Sequence, residues 1–175
     1  MNFLFQPLDE SHFDLLLRWF EAPHVKKWWD QDIVYTAELV REKYASYVKG
    51  YKQINGVNRP IHAYLFYADK TAAGYIQIYR AHDFSHRKQL DEKHLKLGAI
   101  DLLIGEESCL GQNLGSKAII EFLNRHGSAY SHIVVDPDWN NVAAIKCYAK
   151  AGFRMEPNLS DTDSAWMIKD ILPLD

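Results

Sequence analysis

The stretch Asp136–Phe153, DPDWNNVAAIKCYAKAGF, decides the fold. It opens with a turn at Asp136-Pro137-Asp138, and Asn140 reads as the N-cap of a helix, with Asn141 beside it. The helix runs to Gly152, which reads as its C-cap. Asn141 and Tyr148 lie seven residues apart, two turns on, and share one face with Ile145 between them. The helix therefore presents an amide near its start and a phenol near its end. A face that only packs has no need of that pair.

Working upstream, Ser131–Val135 reads as a strand and Leu114–Arg125 as a helix. Before it, Leu95–Gly105 carries Leu97, Ile100, Leu102, Leu103 and Ile104, the near-continuous apolar run of a buried central strand. Strand, loop, helix and strand make one central βαβ unit. Further upstream, Ile61–Ala68 and Gly74–Arg80 read as strands, Gly50–Pro60 as a loop and Ala81–Lys93 as a polar loop. Near the start, a strand over Asn2–Leu8 precedes a helix over Glu10–Ala22, with Asp9 or Ser11 as its cap and Pro23 closing it. A second helix, Thr36–Lys49, is capped by Thr36. Two last strands fit Phe153–Glu156 and Ser164–Ile168. The expected architecture is mixed α/β (α+β), a central sheet of six or seven strands flanked by four helices, in one domain over residues 1–175.

The loop Leu110-Gly111-Gln112-Asn113-Leu114-Gly115-Ser116 lies between the buried strand and a helix. A diphosphate needs backbone N–H donors and the positive end of a helix dipole, and small or left-handed residues allow the approach. Gly111, Asn113 and Gly115 meet that need, although strand–glycine–helix turns are common without any ligand. The loop is neither a Walker loop nor a dinucleotide fingerprint.

At 47% hydrophobic and 25% charged, the chain can form a sizeable core, and a net charge of -3 weighs against nucleic acid and suits a cationic partner. No long apolar run or basic leader is visible, so no membrane association is expected. Cys109 and Cys147 form no metal spacing and read as free thiols, which points to the cytoplasm. The eight histidines show no paired metal spacing, so no metal is expected.

The order strand, glycine loop, helix, strand and asparagine-bearing helix with a late tyrosine resembles the GNAT superfamily of acetyl-CoA-dependent N-acetyltransferases. The resemblance covers nearly the whole chain. The family's phosphate loop reads Arg/Gln-x-x-Gly-x-Gly/Ala, and here Leu110 and Asn113 depart from it. Leu110 removes a side-chain donor, so phosphates would rest on the amides of Gln112, Asn113, Leu114, Gly115 and Ser116. Four pieces look more specifically like the aminoglycoside 6'-N-acetyltransferases: Val25-Lys26-Lys27-Trp28-Trp29, Gly74-Tyr75-Ile76-Gln77-Ile78-Tyr79, Ala99-Ile100-Asp101-Leu102-Leu103, and Asp136-Pro137 running on to Gly152-Phe153.

That resemblance implies acetyl-CoA as co-substrate and a primary amine of a polycationic small molecule, the 6'-amine of an aminoglycoside, as acceptor. It implies Asp101 as base, Tyr148 as proton donor to the thiolate, and Trp28, Trp29, Gln77, Tyr79 and Asp136 around the sugar. The residues carry the same chemistry. A carboxylate inside an apolar strand is costly to bury unless it has a task or a partner, and a phenol suits general-acid geometry. Carbonyl polarisation would come from a main-chain N–H near Leu103. Asn141 would bond the pantetheine or only cap its helix. The bland alternatives are a structural Asp101, a packing Tyr148, a core tryptophan and a turn aspartate at 136. The tail after Gly152 holds five acids against two bases, which would help steer a cation.

Two rivals stand beside this reading. Leu102-Leu103-Ile104-Gly105-Glu106 and Leu110-Gly111 are also similar to siderophore-type acyltransferases acting on N-hydroxylysine, which carry histidine where this chain has Asp101. Leu110 and Asn113 leave room for a coenzyme A-binding module without turnover. The family implies a monomer or a homodimer.

Overall fold

The computed structural model describes residues 1–84 and 96–171. Most of the expected loop over 81–93 lies outside them. The strands follow the order β1-β3-β4-β5-β6-β8-β7, with β2 on β3. They are β1 (Phe3–Pro7), β2 (Tyr51–Ile54), β3 (Val57–Ala68), β4 (Thr71–Arg80), β5 (Leu97–Ile104), β6 (His132–Val135), β7 (Arg154–Met155) and β8 (Met167–Asp170). The helices are α1 (Phe13–Phe20), α2 (Pro23–Lys26), α3 (Ala37–Val48), α4 (Leu114–His126) and α5 (Val142–Lys150). The chain divides into two compact units, Met1–Gln77 with Leu102–Leu114, and Ile78–Asp101 with Gly115–Asp175.

In the first unit, Asp9 caps a 3-10 turn that runs into α1, and α1 buries Phe13, Leu16, Trp19 and Phe20 on one face. Pro23 both ends α1 and opens α2 at its first position, where a missing N–H costs nothing. This short α2 is the helix the sequence reading lacked. Thr36 caps α3 through the Leu39 N–H at 3.2 Å, and α3 buries Val40, Tyr44 and Tyr47. The segment read as a loop over 50–60 is instead the hairpin β2–β3. Its turn residues Asn55 and Gly56 have φ of 50° and 78°, the two positive values of a type I′ turn. β1 pairs antiparallel with β3, Phe3 opposite Ala68 and Phe5 opposite Phe66. β4 is buried on both faces from Ala73 to Gln77, as a central strand must be. At Gly74 an added Cβ would lie 2.1 Å from the Leu103 carbonyl oxygen, so glycine is what permits that approach.

In the second unit, β5 and β6 run parallel and pair only at Leu97–His132, Gly98–Ile133 and Ala99–Val134. β6 pairs antiparallel with β8 from His132–Asp170 to Val135–Met167, and β7 closes the edge on β8. α4 buries Ala118, Ile119, Phe122 and Leu123. Its exposed side carries an Arg125–Glu121 pair one turn apart at 2.6 Å, a contact worth a few tenths of a kcal/mol.

Candidate active site

The second unit holds the carboxylate and the phenol. Strand β5 leaves its partner after Ala99–Val134, so Asp101 stands two residues beyond the last pair. It is half-buried, unlike the fully covered Leu97, Ala99 and Ile100 before it. Alternation along the strand puts Ala99, Asp101 and Leu103 on one side. Asp136 follows β6 directly and is half-buried.

Helix α5 is capped at both ends. Asn141, not Asn140, is the N-cap: its side-chain oxygen accepts from Ala144 N–H at 3.1 Å. The Asn140 N–H is instead turned onto the Asp138 carboxylate at 2.7 Å. At the other end Gly152 has φ of 90°. The Phe153 N–H donates to Tyr148 O and the Gly152 N–H to Ala149 O, both at 3.0 Å, which together form a Schellman motif. Tyr148 is the residue that this motif anchors, and its ring is buried to 8% exposure. Cys147, beside it, has its thiol pushed up to about 11 by burial, with Lys150 opposing the shift.

The loop before α4 carries two left-handed residues. Gly111 has φ of 73° and Asn113 φ of 55°, so asparagine takes the left-handed position expected of it. Gln112, Asn113 and Leu110 are exposed, while Leu114, Gly115 and Ser116 are buried at the helix start. Gln112 uses its side-chain amide on Ser108 O at 2.6 Å. No acidic residue stands in the first turn of α4, so nothing there opposes an anion.

The first unit carries an aromatic cluster. Trp28 and Trp29 are half-buried after α2. Lys27 Nζ lies 4.8 Å from the Trp28 ring centroid. Trp29 stacks on Phe20 at 6.2 Å and meets Tyr75 edge-on at 5.9 Å. Gln77 is buried and its side-chain oxygen accepts from the Tyr75 hydroxyl at 2.6 Å, which orients the carboxamide. Tyr79 lies in the second unit, buried with its ring 4.2 Å from Phe84.

Several polar residues escaped the sequence reading. Tyr75 stands in the Gly74-to-Tyr79 piece with no role of its own. Glu106 accepts from the Trp19 indole at 2.9 Å and from Arg18. These bonds, the Trp19 one first, hold its carboxyl below the usual range. His24 Nε2 lies 3.1 Å from Ile104 O, at the end of β5. Partners about 80 residues away leave no local signal. Among the described residues, no group of three His, Cys, Asp or Glu side chains is placed to hold a metal ion, and no helix is long and apolar enough to cross a membrane.

The chain is similar to the aminoglycoside N(6')-acetyltransferases type 1 of Klebsiella pneumoniae and Serratia marcescens, each 27% identical over 160 residues that cover 89% of this chain and 76% of the relative. The structure of AAC(6')-Ib with paromomycin and acetyl-CoA superposes with a TM-score of 0.79 at 23% identity, covering 97% of this chain and 94% of that one. RimL, a ribosomal L7/L12 alpha-N-protein acetyltransferase solved with coenzyme A, superposes with a TM-score of 0.72 at 16% identity, covering 98% and 95%. At such identities the two structures speak for the fold alone. The acetyltransferase (GNAT) domain family matches residues 9–160, a span that holds the splayed β5, the loop over 110–116 and the capped α5, and the chain belongs to that family.

Proposed function

We propose that the protein transfers acetyl from acetyl-CoA to a primary amine of a polycationic small molecule, the 6'-amine of an aminoglycoside, by direct attack. The observation that carries this reading is the end of the β5–β6 ladder at Ala99–Val134. It leaves a half-buried carboxylate on β5 in the unit that also carries Tyr148 on α5. A polycationic amine arrives protonated, and Asp101 takes that proton directly or through a water. Tyr148 returns a proton to the thiolate that leaves as the amide bond forms. General catalysis of each kind contributes about 10²–10⁴-fold. Backbone donors near Leu103 would polarise the carbonyl, and the amides of residues 112–116 would hold the phosphates, with Asn141 offering pantetheine the amide nitrogen its cap does not use. Trp28, Trp29, Gln77, Tyr79 and Asp136 would line the acceptor.

The aminoglycoside, rather than another amine, is favoured by the curated relatives, which act at the 6' nitrogen, and by an aspartate at position 101. The test is a thiol-release screen with acetyl-CoA against aminoglycosides, polyamines, N-hydroxylysine and peptide amines, with the acetylated position read by NMR. Acetylation of the 6'-amine at the highest kcat/KM is the expected result. Preference for N-hydroxylysine would move the protein to the siderophore-type reading, and acetyl-CoA binding without thiol release from any amine would make it a non-catalytic module.

A further inference from the structure

The Trp28–Trp29 segment follows α2. Both backbone N–H groups donate to Val25 O, at 2.9 and 3.0 Å. The Trp29 indole N–H, in contrast, is buried with no hydrogen-bond partner. Ring contacts with Phe20 and Tyr75 carry that side chain, and packing alone resists rotation less than a directed bond does.

The next residue, Asp30, has φ of 46°. A non-glycine residue keeps this left-handed conformation only where its surroundings fix it. Here they do so through a closed polar triad. The Asp30 carboxylate accepts from the Tyr35 hydroxyl at 2.5 Å and from Lys43 Nζ at 2.7 Å. Lys43 donates to the Tyr35 hydroxyl as well, at 2.6 Å. Burial and the Asp30 bond push the Tyr35 phenol far above the ordinary range, so it remains a donor. Every direction in the triad is thus fixed: ammonium to phenol, ammonium to carboxylate, phenol to carboxylate.

The ammonium also lies against two rings, 5.3 Å from the Tyr35 centroid and 5.5 Å from that of Tyr44. Phe20 packs on the same two rings at 4.7 and 5.2 Å, and Phe20 is the ring on which Trp29 stacks. Lys43 therefore reaches Trp29 by two routes, through Asp30 along the chain and through Tyr35 and Tyr44 to Phe20. Two aromatic faces and a carboxylate around an ammonium are also what a free amine ligand seeks, and here the protein's own lysine fills the place.

We propose that Lys43 is a positioning residue for the acceptor: with Asp30 and Tyr35 it sets the Trp28–Trp29 segment. The inference rests on the acceptor reading given above. Lys43→Ala removes the tether, whereas Lys43→Arg keeps a cation there.

The experiment compares wild type, Lys43→Ala, Lys43→Arg and Asp30→Asn. Steady-state kinetics on the aminoglycoside that the wild type acetylates are paired with ¹⁹F NMR of 5-fluorotryptophan-labelled protein without substrate. In Lys43→Ala the acceptor KM should rise by about ten- to a hundredfold, with kcat and acetyl-CoA Kd within about twofold, since Asp101 and the phosphate loop are untouched. The Trp28 and Trp29 resonances should shift or broaden. Propylammonium, which replaces the deleted part of the side chain, should restore both KM and spectrum, and sodium chloride at equal ionic strength should not. Lys43→Arg should resemble wild type. Asp30→Asn should repeat the loss, and it supplies the same readouts if Lys43→Ala does not fold. An unchanged acceptor KM, or a raised KM with unmoved tryptophan resonances, overturns the proposal. If the wild type acetylates no amine, the acceptor reading fails on its own, and unmoved tryptophan resonances in both variants then overturn the positioning.

Discussion

Tyr148 and Phe153 meet edge to face, ring centroids 5.5 Å apart at 63°, across the left-handed turn at Gly152. Their backbones are joined by the Phe153 N–H to Tyr148 O bond of 3.0 Å. The helix C-cap and the proposed proton donor are therefore one structural feature, and the two can be separated by mutation. Tyr148→Phe keeps the ring contact and removes only the hydroxyl. Its melting temperature should stay within about 4 °C of wild type, while kcat falls by about 10²–10⁴-fold. Gly152→Ala puts a Cβ at φ of 90° and should cost about 1–2 kcal/mol in denaturant unfolding. An unchanged kcat in Tyr148→Phe would return the residue to packing.

Asp101 is half-buried two residues past the last β5–β6 pair. Asp101→Asn conserves shape and removes the base. Turnover should drop by about 10²–10⁴-fold with acetyl-CoA affinity, measured by calorimetry, essentially unaltered. Full activity of this variant on every accepted amine would show that the base lies elsewhere.

Leu110 is 42% exposed beside the left-handed Gly111. Leu110→Arg adds a charged donor where the family pattern has one. If the loop meets phosphates, the Kd for acetyl-CoA should fall by about tenfold at low salt, the value of one charge-assisted hydrogen bond, and the gain should shrink as ionic strength rises. Equal affinity for both proteins at low salt would separate the loop from the phosphates.

Cys147 adjoins Tyr148 but carries a thiol pushed up to about 11 by burial. A raised thiol value means the neutral form predominates below it. Reaction with a disulfide reagent should therefore be slow near pH 8 and accelerate by about tenfold per pH unit until the thiol has titrated. Cys147→Ser should keep acetyl transfer intact, and no acyl-cysteine should be trapped by mass spectrometry.

What the chain declares about itself is local. The α5 period, the glycine at its end, the threonine cap at position 36 and the asparagine standing in for glycine at position 113 all depend on dihedral preferences within a few residues, and all stand in the structure as expected. The same local logic slipped by one residue at the α5 cap, where Asn140 and Asn141 are equally good acceptors and only the turn at Asp138 selects between them. The Asn55-Gly56 turn was present in the sequence, but Tyr51–Ile54 is too short and polar to read as a strand without β3 to pair with. Burial of Gln77 against Tyr75, the hold of Trp19 on Glu106 and the closure of Asp30, Tyr35 and Lys43 were decided by tertiary structure alone. A side-chain hydrogen bond gains only about 1 kcal/mol net, too little to leave a periodic trace, and its partner is chosen by packing that brings distant segments together. The sequence thus determined which helix ends on a tyrosine and which loop turns left-handed. Folding determined which distant side chains hold one another in place.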